Sequence, residues 1–540
     1  MKLAAWTAML RKHDYGVLQP EAARVIIQGL TTGVEIEFVG DRTVSRTCVN
    51  LSSATDDPGV TAMVDAVIDA DVALGRKAGP FRRRPFKVFC ASPIGAVPKG
   101  GSWAEIRVIH HLSYPHGGDS INEHTLNEYV RLGTVDMACD LIVRCGRGCF
   151  LIKIDVKTAY KLVPVRPEDW FLLGFVWRGK YYYERTLPFG LRSSCRLWEL
   201  YATALQHFFE RELGRQCVVH YIDDFLFVIE QEAEARRCLS TALAVCDTLG
   251  VPISASKTEG PTTALTFLGI RLDTRAMRMS LDDGKLAKLR SLLCDWEGKS
   301  SATVTELQSL CGVLNFACKV VRPGRSYLRR IIDHATELGH ATAPQPIPTG
   351  VRLDIRWWVD HAAEWNGHSM LYEAEWRQSP LIELYTDACE TGYGAKFGNR
   401  WMHGRWSTRQ LQAARNGNTD KLSMPYLELL ALTLAVSTWA HHFTTWQLQL
   451  RVTFRSDCMP VVFAVNKRSS RTGRQMALLR TLHTIAARHS FDFTCVHVAG
   501  VANVSADALS RGDLATFMRD TPHHLPQADP VRPLPPPLTL

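Results

Sequence analysis

The 540-residue chain has no CxxC pair, no membrane-length apolar run and no excess of acid, and each absence removes a class of function. Its 15 cysteines are odd in number and scattered. Cys145 and Cys149 form a lone CxxxC without a second half, which argues against a zinc site and for reduced thiols inside a cell. The most apolar helical stretch, Leu429 to Ala440, is too short to span a bilayer, and MKLAAWTAMLRKHD is too weakly apolar for a signal peptide. The expectation is therefore an intracellular protein of cytoplasm or nucleus, not secreted and without a membrane partner. There is no internal repeat. The formal net charge of +9 suits a polyanionic partner without identifying one. The length exceeds what one core supports, so three or four domains are expected.

Residues 1–78 read as a leader with a helix around Glu21–Leu30 and no chemistry of their own. Proline and arginine cluster in GPFRRRPFK, 79–87. From Phe89 to Gly269, short apolar runs with turn signals alternate with longer helical stretches, an α+β pattern. Lys285 to His340 reads as helical, and 344–348 as a linker. A second mixed region runs from Leu381 to Arg511. The Pro-rich segment 513–540 is expected to be disordered.

Chemistry concentrates in two sets of acids. CFLIKIDVKTAY (149–160) delivers Asp155 at the end of a β-leaning run, and CVVHYIDDFLFVI (217–229) reads as a hairpin with Asp223 and Asp224 at its tip. Adjacent acids at a tight turn repel, a cost that a bound cation offsets. Three carboxylates on neighbouring strands could hold two magnesium ions for an in-line displacement by a primer 3′ hydroxyl. Taken singly, an Asp-Asp turn is more often a solvated acidic loop.

The second set begins with Asp387, near the end of a strand in LIELYTDACETGYGAKFGNRW (381–401). Glu428 lies in the apolar helix SMPYLELLALTLAVSTWA (423–440), where an unpartnered charge is costly. Asp457 ends a strand in LQLRVTFRSDCMPVVFAVN (448–466), and Asp507 sits on a helix within FTCVHVAGVANVSADALSR (493–511).

Tyr221-Ile222-Asp223-Asp224 resembles the YxDD box of reverse transcriptases, and IDVKTAY (154–160) resembles their first catalytic strand. LPFGLRSSC (187–195) looks like their template- and nucleotide-contacting segment, FLGI (267–270) like the primer grip, and SPIGAVPKGGSWAEIRVIHHLSYP (92–115) like the fingers hairpin. All five occur in the family's order. The resemblance implies an α+β right-hand polymerase: fingers and palm over 79–275, then a helical thumb and connection over 276–378. It implies that Asp155, Asp223 and Asp224 bind the metals with the Val156 carbonyl. Lys99 and Arg107 would grip the incoming triphosphate. Tyr160 would crowd the sugar 2′ position. Gly190 and Phe189, the latter standing where retroviral enzymes carry Gln, would line the nucleotide. Lys257 could protonate the leaving pyrophosphate, although a surface lysine is the more ordinary reading.

The later region resembles an α/β ribonuclease H-like domain over 379–512. Asp387, Glu428, Asp457 and Asp507 fit that family's metal-binding acids, and His497 stands where retroviral relatives carry a loop histidine that assists proton transfer or product release. The implied cofactor is Mg2+, or Mn2+ in its place, with two ions at each of two sites. The implied partners are an RNA template, a DNA primer, an RNA–DNA hybrid and deoxynucleoside triphosphates.

Two basic runs suit phosphate contacts: Lys319, Arg322, Arg325, Arg329 and Arg330, and further on Lys467, Arg468, Arg471 and Arg474. A solvated basic face is the equally ordinary reading of each. Trp198, Tyr201 and Tyr327 are candidate base-stacking residues that read better as core.

IHHLSYP, VRPEDWFLLGF, KYYYERTLPFGL, NFACKVVRPGRSYLRR and ADALSR are similar to DIRS-like retrotransposons over about residues 80–515, with Gypsy-like elements the nearest alternative. No protease Asp-Thr/Ser-Gly motif, HHCC zinc region or downstream integrase is found in this sequence, in keeping either with elements that use a separately encoded tyrosine recombinase or with a fragment of a longer polyprotein. The chain is thus expected to copy RNA into DNA and to degrade the RNA of the hybrid. A decayed or domesticated product that only binds nucleic acid would be expected to have lost acids, and all seven are present. An RNA-dependent RNA polymerase is disfavoured by Tyr160 and the ribonuclease H-like segment.

Overall fold

The computed structural model describes residues 1–99, 102–367, 369–370, 383–415, 421–443, 451–470, 472–489 and 491–534. The chain divides into two compact units: Met1–Leu141 with Cys149–Thr263, and Ile142–Gly148 with Ala264–Leu540.

The first unit is organised on a four-stranded sheet, in the order Val218–Tyr221, Asp224–Ile229, Phe150–Asp155, Glu259–Thr262. The central strands are largely apolar and buried, and helices Ser194–Leu213 and Glu232–Leu249 pack on the sheet. Helix Ser194–Leu213 buries Leu197, Trp198, Tyr201, Leu205, Phe208 and Phe209 at helical spacing. It stops at Gly214, whose φ of 66° supplies the left-handed cap. A second sheet pairs Lys77–Phe81, Lys180–Glu184 and Gly174–Trp177. The hairpin Ile94–Lys99/Ser102–His110 stands beside it.

Residues 1–78 are not a detached leader. Trp6, on helix Leu3–Lys12, is fully buried, donates its indole N–H to Leu249 O at 3.2 Å, and meets Tyr201 and Phe208 edge-on. Ile26, Val34 and Ile36 join the same core. Helix Pro58–Ala73 packs on the hairpin, and Lys77 already belongs to a strand. These short amphipathic pieces carry no chemistry that marks them, but they close the polymerase-like core. Trp6→Ala is expected to cost ~3–5 kcal/mol, read as a lower denaturation midpoint for this unit.

In the second unit, Ala264–Phe267, Ile270–Asp273, Arg278–Leu281 and Ser369–Met370 form an antiparallel sheet. The FLGI segment is the first of its turns, with Leu268 at φ 48° and Gly269 at φ 77°. The expected boundary at 275/276 falls inside the next hairpin, so the sheet carries across it. Helices Asp283–Glu297, Val304–Ala317, Arg329–Glu337 and Thr349–Trp365 follow. Asp282 caps the first, and Thr303 with Glu306 forms a capping box on the second.

A five-stranded sheet then runs in the order Arg400–Arg405, Gly392–Phe397, Glu383–Ala388, Arg451–Ser456, Asp492–His497. The first three strands are antiparallel, and the last two join in parallel. Helix Met424–Trp439 lies buried against it. This is the antiparallel-then-alternating order that the later motifs imply.

The expected disorder of 513–540 gives way over its first part. Asp513 caps helix Leu514–Asp520, and the chain then follows strand Arg400–Arg405. Leu525 and Asp529 donate their N–H groups to Asn399 O and Trp401 O, each at 2.8 Å. The Asp529 carboxylate takes Arg400 and the Trp439 indole. Proline-rich composition suggests a tail, whereas these charged hydrogen bonds tie it down. Residues 535–540 lie outside the described residues.

Candidate functional site

In the first unit, Asp155 and Asp224 face each other directly on neighbouring strands, and Asp223 occupies the turn. The Val156 N–H donates to Asp223 O at 2.8 Å, fastening the turn to the end of the Asp155 strand. Burial pushes the Asp223 carboxyl up, aided by Asp155. Asp224 is pushed up to about 6 by burial, then by Asp223 and Asp155. Such a group of acids is stabilised by a cation among them.

Asp155 and Asp223 border a cleft of about 820 Å³ lined also by Lys99, Arg107, Val156, Tyr160, Phe189, Ile222 and Lys257. The hairpin thus brings Lys99 and Arg107 to the same cleft as Asp155 and Asp223. Lys99 pairs with Glu105 at 2.5 Å. The Tyr160 ring meets Phe189 with centroids 5.4 Å apart, its hydroxyl bonds to Cys195, and burial raises its pKa. Gly190 is demanded by the backbone: its φ is 106°, and a Cβ there would lie 2.0 Å from His110 O. Lys257 is an exposed lysine, as its surface reading expects, and its ammonium also contacts Asp155 Oδ2 at 2.6 Å. Burial works against that charge, but the Asp155 hydrogen bond and the surrounding acids hold its pKa above the usual range.

In the second unit, Asp387, Glu428 and Asp457 offer oxygens that all lie within 4.8 Å of one another. Burial pushes Glu428 up to about 9, reinforced by Asp387 and Asp457. Asp387 is pushed up to about 6, first by burial, then by Asp457 and Asp507 against a hydrogen bond to Ser510. The donor set fits a hard divalent cation: it is all oxygen, and the buried Glu428 Oε2 has no hydrogen-bond partner. Asp507 is close enough to act on Asp387, but it stands outside the tight trio and accepts Arg511 Nε at 2.8 Å. His497 is exposed at a strand end, paired in register with Ser456 beside Asp457. Sequence reading passed over Asn503, which is fully buried and donates to Thr386 O from the start of the Asp507 helix.

Four residues of the basic runs are internal ties. Arg322 and Arg468 both bind Asp492, at 2.8 and 2.9 Å. Arg330 and Arg480 share the fully buried Asp354. Arg474 donates to Ala413 O and Arg415 O. Arg322 and Arg480 thus link the connection helices to the region of the five-stranded sheet, and Arg330, Arg468 and Arg474 tie elements within one region, so Arg322, Arg330, Arg468 and Arg474 are engaged inside the protein and not free phosphate contacts. Arg325 and Arg329, with Lys467, line a cleft of about 500 Å³. Arg325 reaches Asn315, Arg329 pairs with Asp333, and Lys319 lies over the Phe316 ring. Arg471 lies outside the described residues. Trp198, Tyr201 and Tyr327 are all buried, so none is placed to stack on a base.

Residues 118–272 match the family described as "Reverse transcriptase (RNA-dependent DNA polymerase)". The chain is 23% identical to Polyprotein P3 of Commelina yellow mottle virus over 72% of its length, covering 19% of that protein. It is 22% identical to the Transposon Tf2-3 polyprotein of Schizosaccharomyces pombe over 82% of its length, covering 30% of that protein. The chain therefore spans less than a third of the length of these curated relatives. The fold resembles a solved foamy viral protease-reverse transcriptase dRH in complex with double-stranded DNA, with TM-score 0.51 and 15% identity over 86% of this chain and 73% of that one. The foamy viral protease-reverse transcriptase in complex with double-stranded DNA gives TM-score 0.50 and 16% identity over 86% of this chain and 87% of that one. The chain carries a reverse transcriptase domain with the corresponding polymerase fold, and its relatives include retrotransposon polyproteins.

Proposed function

We propose that the chain is an RNA-directed DNA polymerase that also hydrolyses the RNA of an RNA–DNA hybrid, each reaction running on its own acid cluster. The observation that carries this is the placement of Asp155 and Asp223 in a cleft shared with Lys99, Arg107, Tyr160 and Phe189, with Asp224 paired to Asp155 on the next strand, while Asp387, Glu428 and Asp457 converge in the other unit.

At the first site, Asp155, Asp223 and Asp224, with the Val156 carbonyl, would hold Mg2+ or Mn2+. The bound cations would supply charge neutralisation for an attacking 3′ hydroxyl and a leaving pyrophosphate. Lys99 and Arg107 bind the triphosphate oxygens as charged donors. Lys257 keeps a proton close to Asp155, within the same cleft. Tyr160, packed on Phe189 in the cleft wall, would crowd the 2′ hydroxyl of a ribonucleotide. Tyr160→Val is expected to raise ribonucleotide incorporation by about 10- to 100-fold, since the barrier is steric. Unchanged sugar selectivity would remove Tyr160 from that role.

At the second site, Asp387, Glu428, Asp457 and Asp507 would hold the cations that activate water against the RNA strand. His497 stands free at the rim to move a proton at the departing oxygen. The natural ligands are thus an RNA template, a DNA primer, their hybrid and deoxynucleoside triphosphates, met inside the cell. The DIRS-like wording of the motifs favours a parent element that also encodes a tyrosine recombinase, over a Gypsy-like one.

The test is one reaction with a labelled DNA primer on a labelled RNA template, with and without Mg2+. Primer extension and template shortening should both appear only with the metal. Duplex binding without either reaction would instead favour a decayed element product.

A further inference from the structure

The turn that presents the polymerase acids is built on an unfavourable residue. Ile222 and Asp223 are the two residues between strands Val218–Tyr221 and Asp224–Ile229, and Ile222 has φ 56°. Two-residue hairpin loops with positive φ at the first position ordinarily place glycine there, and a β-branched residue is strained. Such a conformation persists only where its surroundings over-determine it.

Both carbonyls of the turn are in fact held. Asp223 O accepts the Val156 N–H, and Ile222 O accepts the Trp198 indole N–H at 2.7 Å. Trp198 is fully buried on helix Ser194–Leu213, and its ring lies nearly parallel to Tyr201, 9° off with centroids 6.3 Å apart. Its indole is therefore fixed by packing and cannot follow a moving turn. The same helix grips the preceding strand a second time. Glu199 and Gln206 take the two ring nitrogens of His220, at 2.9 and 2.6 Å.

We propose that Trp198 is a positioning residue for the polymerase acids: its indole N–H holds the Ile222 carbonyl and so locks a strained turn in the orientation that sets Asp223 beside Asp155. Trp198 touches neither nucleotide nor nucleic acid and acts only through the turn. Its kinetic consequence rests on the polymerase function proposed above. Its structural consequence does not.

The test is a double-mutant cycle. Trp198→Phe keeps an aromatic ring in the core and removes the donor. Ile222→Gly removes the strain and keeps the carbonyl. Trp198→Phe should lower kcat for deoxynucleotide incorporation by about tenfold, leaving KM for primer–template within about twofold. The amides of 221–224 should exchange with deuterium about tenfold faster. In the Ile222→Gly background, the same change should cost about threefold or less, because an unstrained turn needs the clamp less. If Trp198→Phe folds poorly, benzothienylalanine at 198 preserves the indole shape without the N–H and serves in its place. Equal losses in both backgrounds, with unchanged exchange at the turn, would reduce Trp198 to core packing and overturn the proposal. Absence of synthesis by the unmodified chain would overturn the polymerase function instead. Exchange at the turn alone would then decide the clamp.

Discussion

Asp223→Asn is expected to reduce DNA synthesis by at least about 10³-fold while leaving RNA hydrolysis within about twofold of the unmodified chain. The substitution keeps the size of the side chain and removes one negative charge from a turn where Asp155 and Asp224 already oppose each other. Lost cation affinity, not lost packing, is then the main consequence. Asp457→Asn should do the reverse, since Asp457 belongs to the trio with Asp387 and Glu428 in the other unit. Primer extension and hybrid cleavage, run on both variants with thermal denaturation as a folding control, measure this. Loss of both activities in either folded variant would mean that the two clusters do not act independently.

Glu428→Gln is expected to abolish hydrolysis and yet stabilise the metal-free chain at pH 8. Burial holds the Glu428 carboxyl at about 9, against an ordinary value of 4.5. A folded-state pKa above the unfolded one means that the folded chain holds its proton more tightly. Metal-free stability is therefore greatest below about 4.5 for this group and falls as pH rises towards about 9. Asp387 adds to the fall between its ordinary 3.8 and about 6. Glutamine is neutral throughout and avoids the cost, so the metal-free variant should gain roughly 2 kcal/mol at pH 8 and nothing near pH 4. The same linkage makes cations compete with protons, so Mg2+ should stabilise the unmodified chain more at pH 8 than at pH 6. Melting curves at both pH values, with Mg2+ and with a chelator, check this. A variant less stable than the unmodified chain at pH 8 without metal would show that Glu428 is held by partners other than a cation.

The acids were readable in the sequence because short apolar strands end on them. The patterning is fixed by local chemistry: Phe150–Asp155 (FLIKID) is a largely apolar run closed by a carboxylate and Asp224–Ile229 (DFLFVI) one opened by a carboxylate, and an acid at the end of such a run is legible without knowing its neighbours. Glu428 was legible as a charge in an otherwise apolar helix.

What the sequence could not show is which distant charge neutralises which. Arg330 and Arg322 read as phosphate contacts until Asp354 and Asp492, 24 and 170 residues away, are seen to hold them. Lys257 is a surface lysine as read, but its pairing with Asp155, 102 residues earlier, was not legible. Asp529 likewise turns a proline-rich tail into an ordered strap through Arg400, far from it in sequence. The N-terminal helices were underrated for a different reason. A short amphipathic helix looks the same whether its apolar face closes a core, as Trp6 does here, or is left unpartnered.

The most direct measurement is manganese anomalous scattering from crystals grown with an RNA–DNA hybrid and a non-hydrolysable deoxynucleotide. Manganese peaks within coordination distance of Asp155 and Asp223, and separately between Asp387, Glu428 and Asp457, are the expected result. Density at neither acid cluster, in crystals where the duplex is bound, would contradict the assignment of two cation-dependent reactions to this chain.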